Sequence, residues 1–242
     1  LIYNTDGSVC TTVRPDQTPF PGVNSFAVET GTTNYFGIDA WEFDADQSTF
    51  YPGTLASGKT WEDCWDAKQR AYVGGDSITA WSIYTKPLDL GQVYSAGTKI
   101  TLSWKHKGYL WFIVFYYGLT TDSLTSFNST NTYEIKGDAS LNYWETWSEG
   151  AGLHLKINGV IPHHLYGGSP QSLLDRWYDI EITYTLPTDA RYVKVGWNFA
   201  FAADSERGVK GYIHKPQLEV KPFASSFVAG SRQTGRLIIP VE

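Results

Sequence analysis

The sequence predicts an all-β protein folded as an antiparallel β-sandwich, and three observations carry that reading. Apolar and polar residues alternate with a period of two in several short runs. Clusters of Gly, Pro, Asn, Asp and Ser separate the runs, and helical periodicity is nearly missing. The chain has 242 residues and 42% hydrophobic content, enough to bury the core of one large domain.

In chain order, the segment Asp39 to Phe43 reads as an early strand with Trp41 in the core, and Thr60 to Arg70 as a turn or two of helix. From Thr98 to Lys105 the pattern is a half-buried strand: Ile100, Leu102 and Trp104 face a core, while Lys99, Thr101, Ser103 and Lys105 face outward. Lys105-His106-Lys107-Gly108 reads as a hairpin link into Tyr109 to Tyr117, which is apolar on both faces. A second helical turn is expected at Ser169 to Arg176, where Pro170 suits a first helical position. From Trp177 to Leu186, Ile180, Ile182 and Tyr184 oppose Asp179, Glu181 and Thr183. From Arg191 to Phe201, Val193, Val195, Trp197 and Phe199 oppose Tyr192, Lys194, Gly196 and Asn198. Ile100, Leu102, Val193, Val195 and Leu218 are the expected centre of the core.

Composition excludes several classes of function. Charged residues are 18% of the chain, net charge is -6 and no basic block occurs, so the electrostatic footprint of a nucleic-acid binder is missing. No apolar run approaches the ~20 residues that span a bilayer, so no membrane insertion is expected, and the first residues lack the regions of a signal peptide. The chain has no methionine, as expected of a mature or excised fragment of a larger polypeptide. Cys10 and Cys64 allow one disulfide or two reduced buried thiols. His163 and His164 are adjacent and point apart in an extended chain, so no metal site is expected there.

Ten Trp, sixteen Tyr and twelve Phe exceed what a two-layer core needs. The axial C–H bonds of a pyranose form an apolar face that packs on an aromatic ring, while neighbouring polar side chains bond its hydroxyls. The candidate glycan-binding residues are therefore the face formed by Tyr109, Trp111, Phe115 and Tyr117, if Leu110, Phe112, Val114 and Tyr116 fill the core. Two Trp-bearing loops join them, with Trp61 and Trp65 in one and Trp144 and Trp147 in the other. Burial of both faces of the Tyr109 to Tyr117 run, and Trp residues plugging the sandwich ends or an oligomer interface, are the competing readings.

No catalytic residue is assigned. Glu42-Phe43-Asp44-Ala45-Asp46-Gln47 resembles the Glu-x-Asp-x-x-Glu strand of retaining jelly-roll glycosidases, whose two carboxyls stand about 5 Å apart. Here Gln47 occupies the last position, and an amide cannot exchange the proton. A lyase using Tyr166 with His163 or His164 has no motif behind it, and no nucleophile elbow, phosphate loop or zinc helix occurs.

Two flanking segments carry a family resemblance. Gln217-Leu218-Glu219-Val220-Lys221-Pro222-Phe223-Ala224-Ser225-Ser226-Phe227-Val228-Ala229-Gly230-Ser231-Arg232 resembles the ending of jelly-roll modules in bacteriophage tail and prophage proteins. Val28-Glu29-Thr30-Gly31-Thr32-Thr33-Asn34 resembles the segment that precedes them. Those modules are related in shape to carbohydrate-binding modules. The resemblance implies residues 1–30 as an N-terminal connecting segment packed on the sandwich, 31–221 as the jelly roll, and 222–242 as a linker or the start of a following module. It implies a non-catalytic carbohydrate-binding module of a virion or extracellular multidomain protein. Its partner would be a polysaccharide or cell-surface glycan, with neighbouring modules of the same polypeptide beside it and a homo-oligomer possible. The alternatives are a structural or oligomerisation module of a virion fibre and, behind it, a glycoside hydrolase or lyase. No cofactor is expected. Family members that carry Asp just before Gln-Leu-Glu would place a structural calcium there, but here the positions are His214, Lys215 and Pro216.

Overall fold

The structure, a computed structural model, describes residues 2–4, 31–37, 42–75, 82–108, 110, 112–126, 133–138, 143–147, 153–157, 165–166, 176–199, 210–225, 227–232 and 235–237. At 2–4, 112, 125–126, 133–138, 143–147, 153–155, 157, 165–166, 232 and 235–237 it describes the backbone alone. The strands in chain order are β1 (Ile2–Asn4), β2 (Thr32–Thr33), β3 (Phe50–Pro52), β4 (Trp65–Asp66), β5 (Ala71–Gly75), β6 (Ser82–Thr85), β7 (Leu88–Tyr94), β8 (Lys99–Gly108), β9 (Phe112–Gly118) and β10 (Thr125–Ser126). They continue as β11 (Tyr133–Asp138), β12 (Tyr143–Trp147), β13 (Leu153–Ile157), β14 (Leu165–Tyr166), β15 (Tyr178–Thr185), β16 (Ala190–Asn198), β17 (Lys210–Glu219), β18 (Ser231–Arg232) and β19 (Gly235–Leu237).

Two antiparallel sheets pack as a β-sandwich. One runs β14-β12-β11-β9-β16-β6-β3, with β10 on β9 and β7 on β16, and the other runs β13-β15-β8-β17-β5-β4. Rings bridge the layers: Phe115 stacks on Tyr184 at 5.1 Å and 12°, Trp104 meets Trp197 edge-on at 6.2 Å, and Phe50 lies 4.9 Å from Tyr72. Ile100, Leu102, Val193, Val195 and Leu218 are all fully buried, as their alternation predicts.

Three local expectations are corrected. Residues 105–108 are not a hairpin, because β8 continues through Gly108 with Tyr178↔His106 on one side and Tyr212↔Lys107 on the other. Between Thr60 and Arg70 only a single 3-10 turn forms, at Glu62–Cys64, followed directly by β4. The face assignment is reversed at Phe115, Tyr116 and Tyr117, while Leu110 and Val114 are buried as expected. The register of β9 sets Phe115 opposite Val195 and Tyr117 opposite Val193, and residues directly opposite share a face, so Ile113 and Phe115 join the core and Tyr116 points outward. Tyr109, Trp111, Trp41 and residues 169–175 lie outside the described residues.

The first part of the run expected, from residue 222, to be a linker or the start of a following module forms a clasp. In β17 the ladder shifts between His214 and Gln217, with Lys215 at φ 50 and the N–H-less Pro216 in the gap. The extra residue lets Ile213 and Leu218 both face the core and turns Gln217 and Glu219 to the opposite face of the sheet. Residues 221–225 and 227–231 then cover that face. Glu219 accepts hydrogen bonds from Gln217 Nε2 (2.7 Å), the Ser225 amide (2.9 Å), the Ser225 hydroxyl (2.5 Å) and the Thr32 hydroxyl. Val228 N–H donates to Gln217 Oε1, and Thr101 Oγ1 donates to the Lys221 carbonyl, each at 2.7 Å. The N-terminal signature is sewn into the same joint. Asn34 donates to the carbonyls of Pro216 and Val228 and accepts from Leu218 N–H, and β2 pairs with β18. The residues that carry the family resemblance thus satisfy one another's buried polar groups. Beyond the clasp, β1 pairs with β19 in a two-stranded ladder of its own.

Candidate functional site

The outer face of the β9-β16-β6-β3 stretch presents a row of tyrosines. Tyr116 on β9 lies opposite Lys194 on β16, Gly196 on β16 lies opposite Tyr84 on β6, and Tyr84 lies opposite Tyr51 on β3. With adjacent strands ~4.8 Å apart, the row spans roughly 14 Å, the length of about two or three pyranose units. All three tyrosines are partly exposed.

Glycines make room for the central ring. A Cβ on Gly196 would stand 2.4 Å from Tyr84 Cε1, and one on Gly53 would stand 2.9 Å from Tyr84 Cε2. The Tyr84 ring therefore lies across β16 and the end of β3, where any larger residue would push it away. Tyr51 follows at 5.8 Å between centroids with its plane 29° from that of Tyr84. The Lys194 ammonium sits among the rings, 4.9 Å from the centroid of Tyr84, 5.1 Å from Tyr116 and 5.4 Å from Tyr51, and Lys86 reaches within 5.6 Å of Tyr51. Burial, with the neighbouring Tyr84 and Tyr51, pushes the Tyr116 phenol above its usual range, so it stays protonated and keeps its hydroxyl donor. The row offers apolar ring faces, phenolic hydroxyls and two ammonium groups, the set that a sugar ring with polar substituents requires.

Of the candidates named from the sequence, Phe115, Tyr117, Trp61 and Trp65 fall elsewhere, and Tyr109 and Trp111 lie outside the described residues. Phe115 is 3% exposed and stacked on Tyr184, and Tyr117 packs against the core. Trp61 is 4% exposed, its Nε1 donates to the Asp44 carbonyl at 2.7 Å and its ring stacks on Tyr72 at 5.3 Å. Trp65 is half-buried and meets Tyr72 edge-on at 5.2 Å. All four rings serve packing: Phe115 and Tyr117 against Tyr184 of β15, and Trp61 and Trp65 against Tyr72, where they close the end of the sandwich near β4 and β5. The side chains of Trp144 and Trp147 lie outside the described residues, although their backbone forms β12. Sequence reasoning missed Tyr51, Tyr84 and Tyr116. The available signal was Gly196, a glycine at an outward position of an otherwise regular strand.

Asp44, in the glycosidase-like segment, organises a turn. One of its oxygens accepts from the amides of Thr49 and Phe50 at 2.7 Å each and the other from the Ser48 amide and hydroxyl at 3.0 Å. Burial opposes its charge, but these donors outweigh it and hold the carboxyl below its ordinary value. The Cys64 thiol is free and fully buried, and burial pushes it up to about 12. Cys10 lies outside the described residues. Among the described residues no group of three or more His, Cys, Asp or Glu side chains is placed to hold a metal ion. A concavity of about 500 Å³ lies away from the tyrosine row, beside the clasp, lined by Thr32, Thr33, Tyr35, Tyr94, Lys221 and Ser231 among others. Compared with known proteins, the chain matches no family model and no curated protein.

Proposed function

We propose that this β-sandwich is a non-catalytic glycan-binding module, similar to the jelly-roll carbohydrate-binding modules of bacteriophage tail and secreted multidomain proteins. A polysaccharide or cell-surface glycan would lie along Tyr116, Tyr84 and Tyr51. The observation that carries the reading is the Tyr84 ring laid across Gly196 and Gly53 with a tyrosine on either side. A ring held down in this way is a preformed surface, so little side-chain freedom is lost when a sugar settles on it.

The test is calorimetric titration of soluble polysaccharides into the wild-type chain and Tyr84→Ala, with circular dichroism to follow folding. Losing one aromatic packing surface costs ~0.5–1.5 kcal/mol, a roughly two- to tenfold weaker association with the fold retained. A folded Tyr84→Ala chain with unchanged affinity, or a wild-type chain that binds no polysaccharide, contradicts the proposal. The second reading, a structural module of a virion fibre, rests on the same half-exposed tyrosines acting as a contact between copies. It predicts concentration-dependent sedimentation that Tyr84→Ala abolishes.

A further inference from the structure

Resting on that glycan-binding reading, we infer that the ligand is an acidic glycan, whose carboxylate or sulfate group meets Lys194 at the centre of the tyrosine row and Lys86 at its edge. Lys194 is half-buried and within 5.4 Å of three ring centroids, yet among the described residues neither it nor Lys86 has a carboxylate within ion-pair distance, and the Lys194 ammonium has no hydrogen-bond acceptor. Three other cations on the sheet surfaces have carboxylate partners, whereas Lys99 and Lys107 on β8, neither of them set among three rings, have none among the described residues. Lys105 reaches Asp179 and Lys156 reaches Glu181 at 2.8 Å each, and Arg191 grips Asp89 at 2.9 Å through two nitrogens.

Tyrosine faces hold an ammonium through their quadrupoles and supply no counter-charge. A ligand lying on this row must cover Lys194 and strip its remaining water. A neutral sugar offers that charge only hydroxyl acceptors and no counter-charge, whereas an anionic substituent returns a stronger, ion-paired hydrogen bond in a partly desolvated place. The chain as a whole carries a net charge of -6, so attraction of an anion comes from this local pair of lysines.

The experiment compares three probes by titration at about 20 mM and about 500 mM salt: a polyuronate, a sulfated galactan and a neutral galactan. The expected result is that at least one acidic polymer binds roughly tenfold more tightly than the neutral one and loses that advantage at high salt, with the two acidic probes separating carboxylate from sulfate recognition. Lys194→Met, which keeps an unbranched apolar stem over the tyrosines, should weaken acidic binding roughly three- to tenfold and so close the gap between acidic and neutral polymers. Tyr84→Ala should weaken both. If neutral and acidic polymers bind alike and Lys194→Met changes neither while Tyr84→Ala weakens both, the acidic inference fails and the glycan-binding reading stands. If none of the three binds, or Tyr84→Ala is without effect, both fail.

Discussion

Replacing Glu219 by Ala should unlock the clasp that ties the two ends of the domain together. Glu219 is fully buried and accepts from Gln217 Nε2, from the amide and hydroxyl of Ser225 and from the Thr32 hydroxyl. The two hydroxyls rotate to find other acceptors, but the Ser225 amide cannot turn, and Gln217 loses its charged acceptor. Removing one member of a buried charged network costs ~3–5 kcal/mol, and with about 2–4 °C of melting temperature per kcal/mol in a domain of this size the expected drop is roughly 6–20 °C. Glu219→Gln keeps one oxygen in place for the Ser225 and Gln217 donors and turns its amide toward the hydroxyls, so its cost should be ~1–2 kcal/mol. Thermal and urea melts followed by circular dichroism measure both. Limited proteolysis should meanwhile cut Glu219→Ala between residues 222 and 231 faster than the wild type. A drop below about 2 °C for Glu219→Ala would show that residues 222–231 are the linker that their Pro and Gly punctuation suggests.

The turn at Asp44 makes an acid-range prediction. Its folded pKa lies below the ordinary 3.8, so its contribution is complete above 3.8 and is lost as pH falls through the folded value. Asp44→Asn should therefore be less stable than the wild type near neutrality, and urea-unfolding curves of the two should converge at the acid end; a gap that persists there refutes ionisation as the cause. In a Cys10→Ser background, Cys64 should react with a thiol reagent at about pH 8 only as fast as the chain unfolds, since the thiol is buried and held near 12. Rapid labelling of folded protein would show that its surroundings open. Gly196→Ala should melt close to the wild type yet bind glycan as poorly as Tyr84→Ala, because its Cβ would stand 2.4 Å from the Tyr84 ring and lift that ring off its seat on the solvent-facing side of the sheet. Titration beside a melt separates the two effects.

What the sequence made legible was periodicity. Ile100, Leu102 and Trp104, and Val193, Val195 and Trp197, each alternate with polar residues, and all six are buried in the core as that alternation predicts, whereas the burial of Thr101 under the clasp was not legible. The phase of β9 was illegible because Ile113, Phe115 and Tyr117 are as apolar as Phe112, Val114 and Tyr116. Only the pairing of Phe115 with Val195 decides between them. Lys215-Pro216 hid a change of parity in β17, which is why Glu219 is buried by residues Thr32 and Ser225 from opposite ends of the chain. The tyrosine row was invisible for a related reason. Its members stand at 51, 84 and 116 with Lys194 between them, each alone on its strand, and sheet topology alone makes them neighbours. The Trp pairs drew attention because they are close in sequence, but Trp61 and Trp65 converge on Tyr72 and close the core.

The central claim is that the outer face of β9, β16, β6 and β3 holds the ligand, and backbone-amide NMR during titration with the best-binding polysaccharide tests it most directly. The account predicts saturable shifts centred on Tyr51, Tyr84, Tyr116, Lys194 and Gly196, with the amides of Thr32, Tyr35 and Lys221 at the concavity beside the clasp unmoved. Shifts centred on those three residues, with the tyrosine row silent, would contradict it.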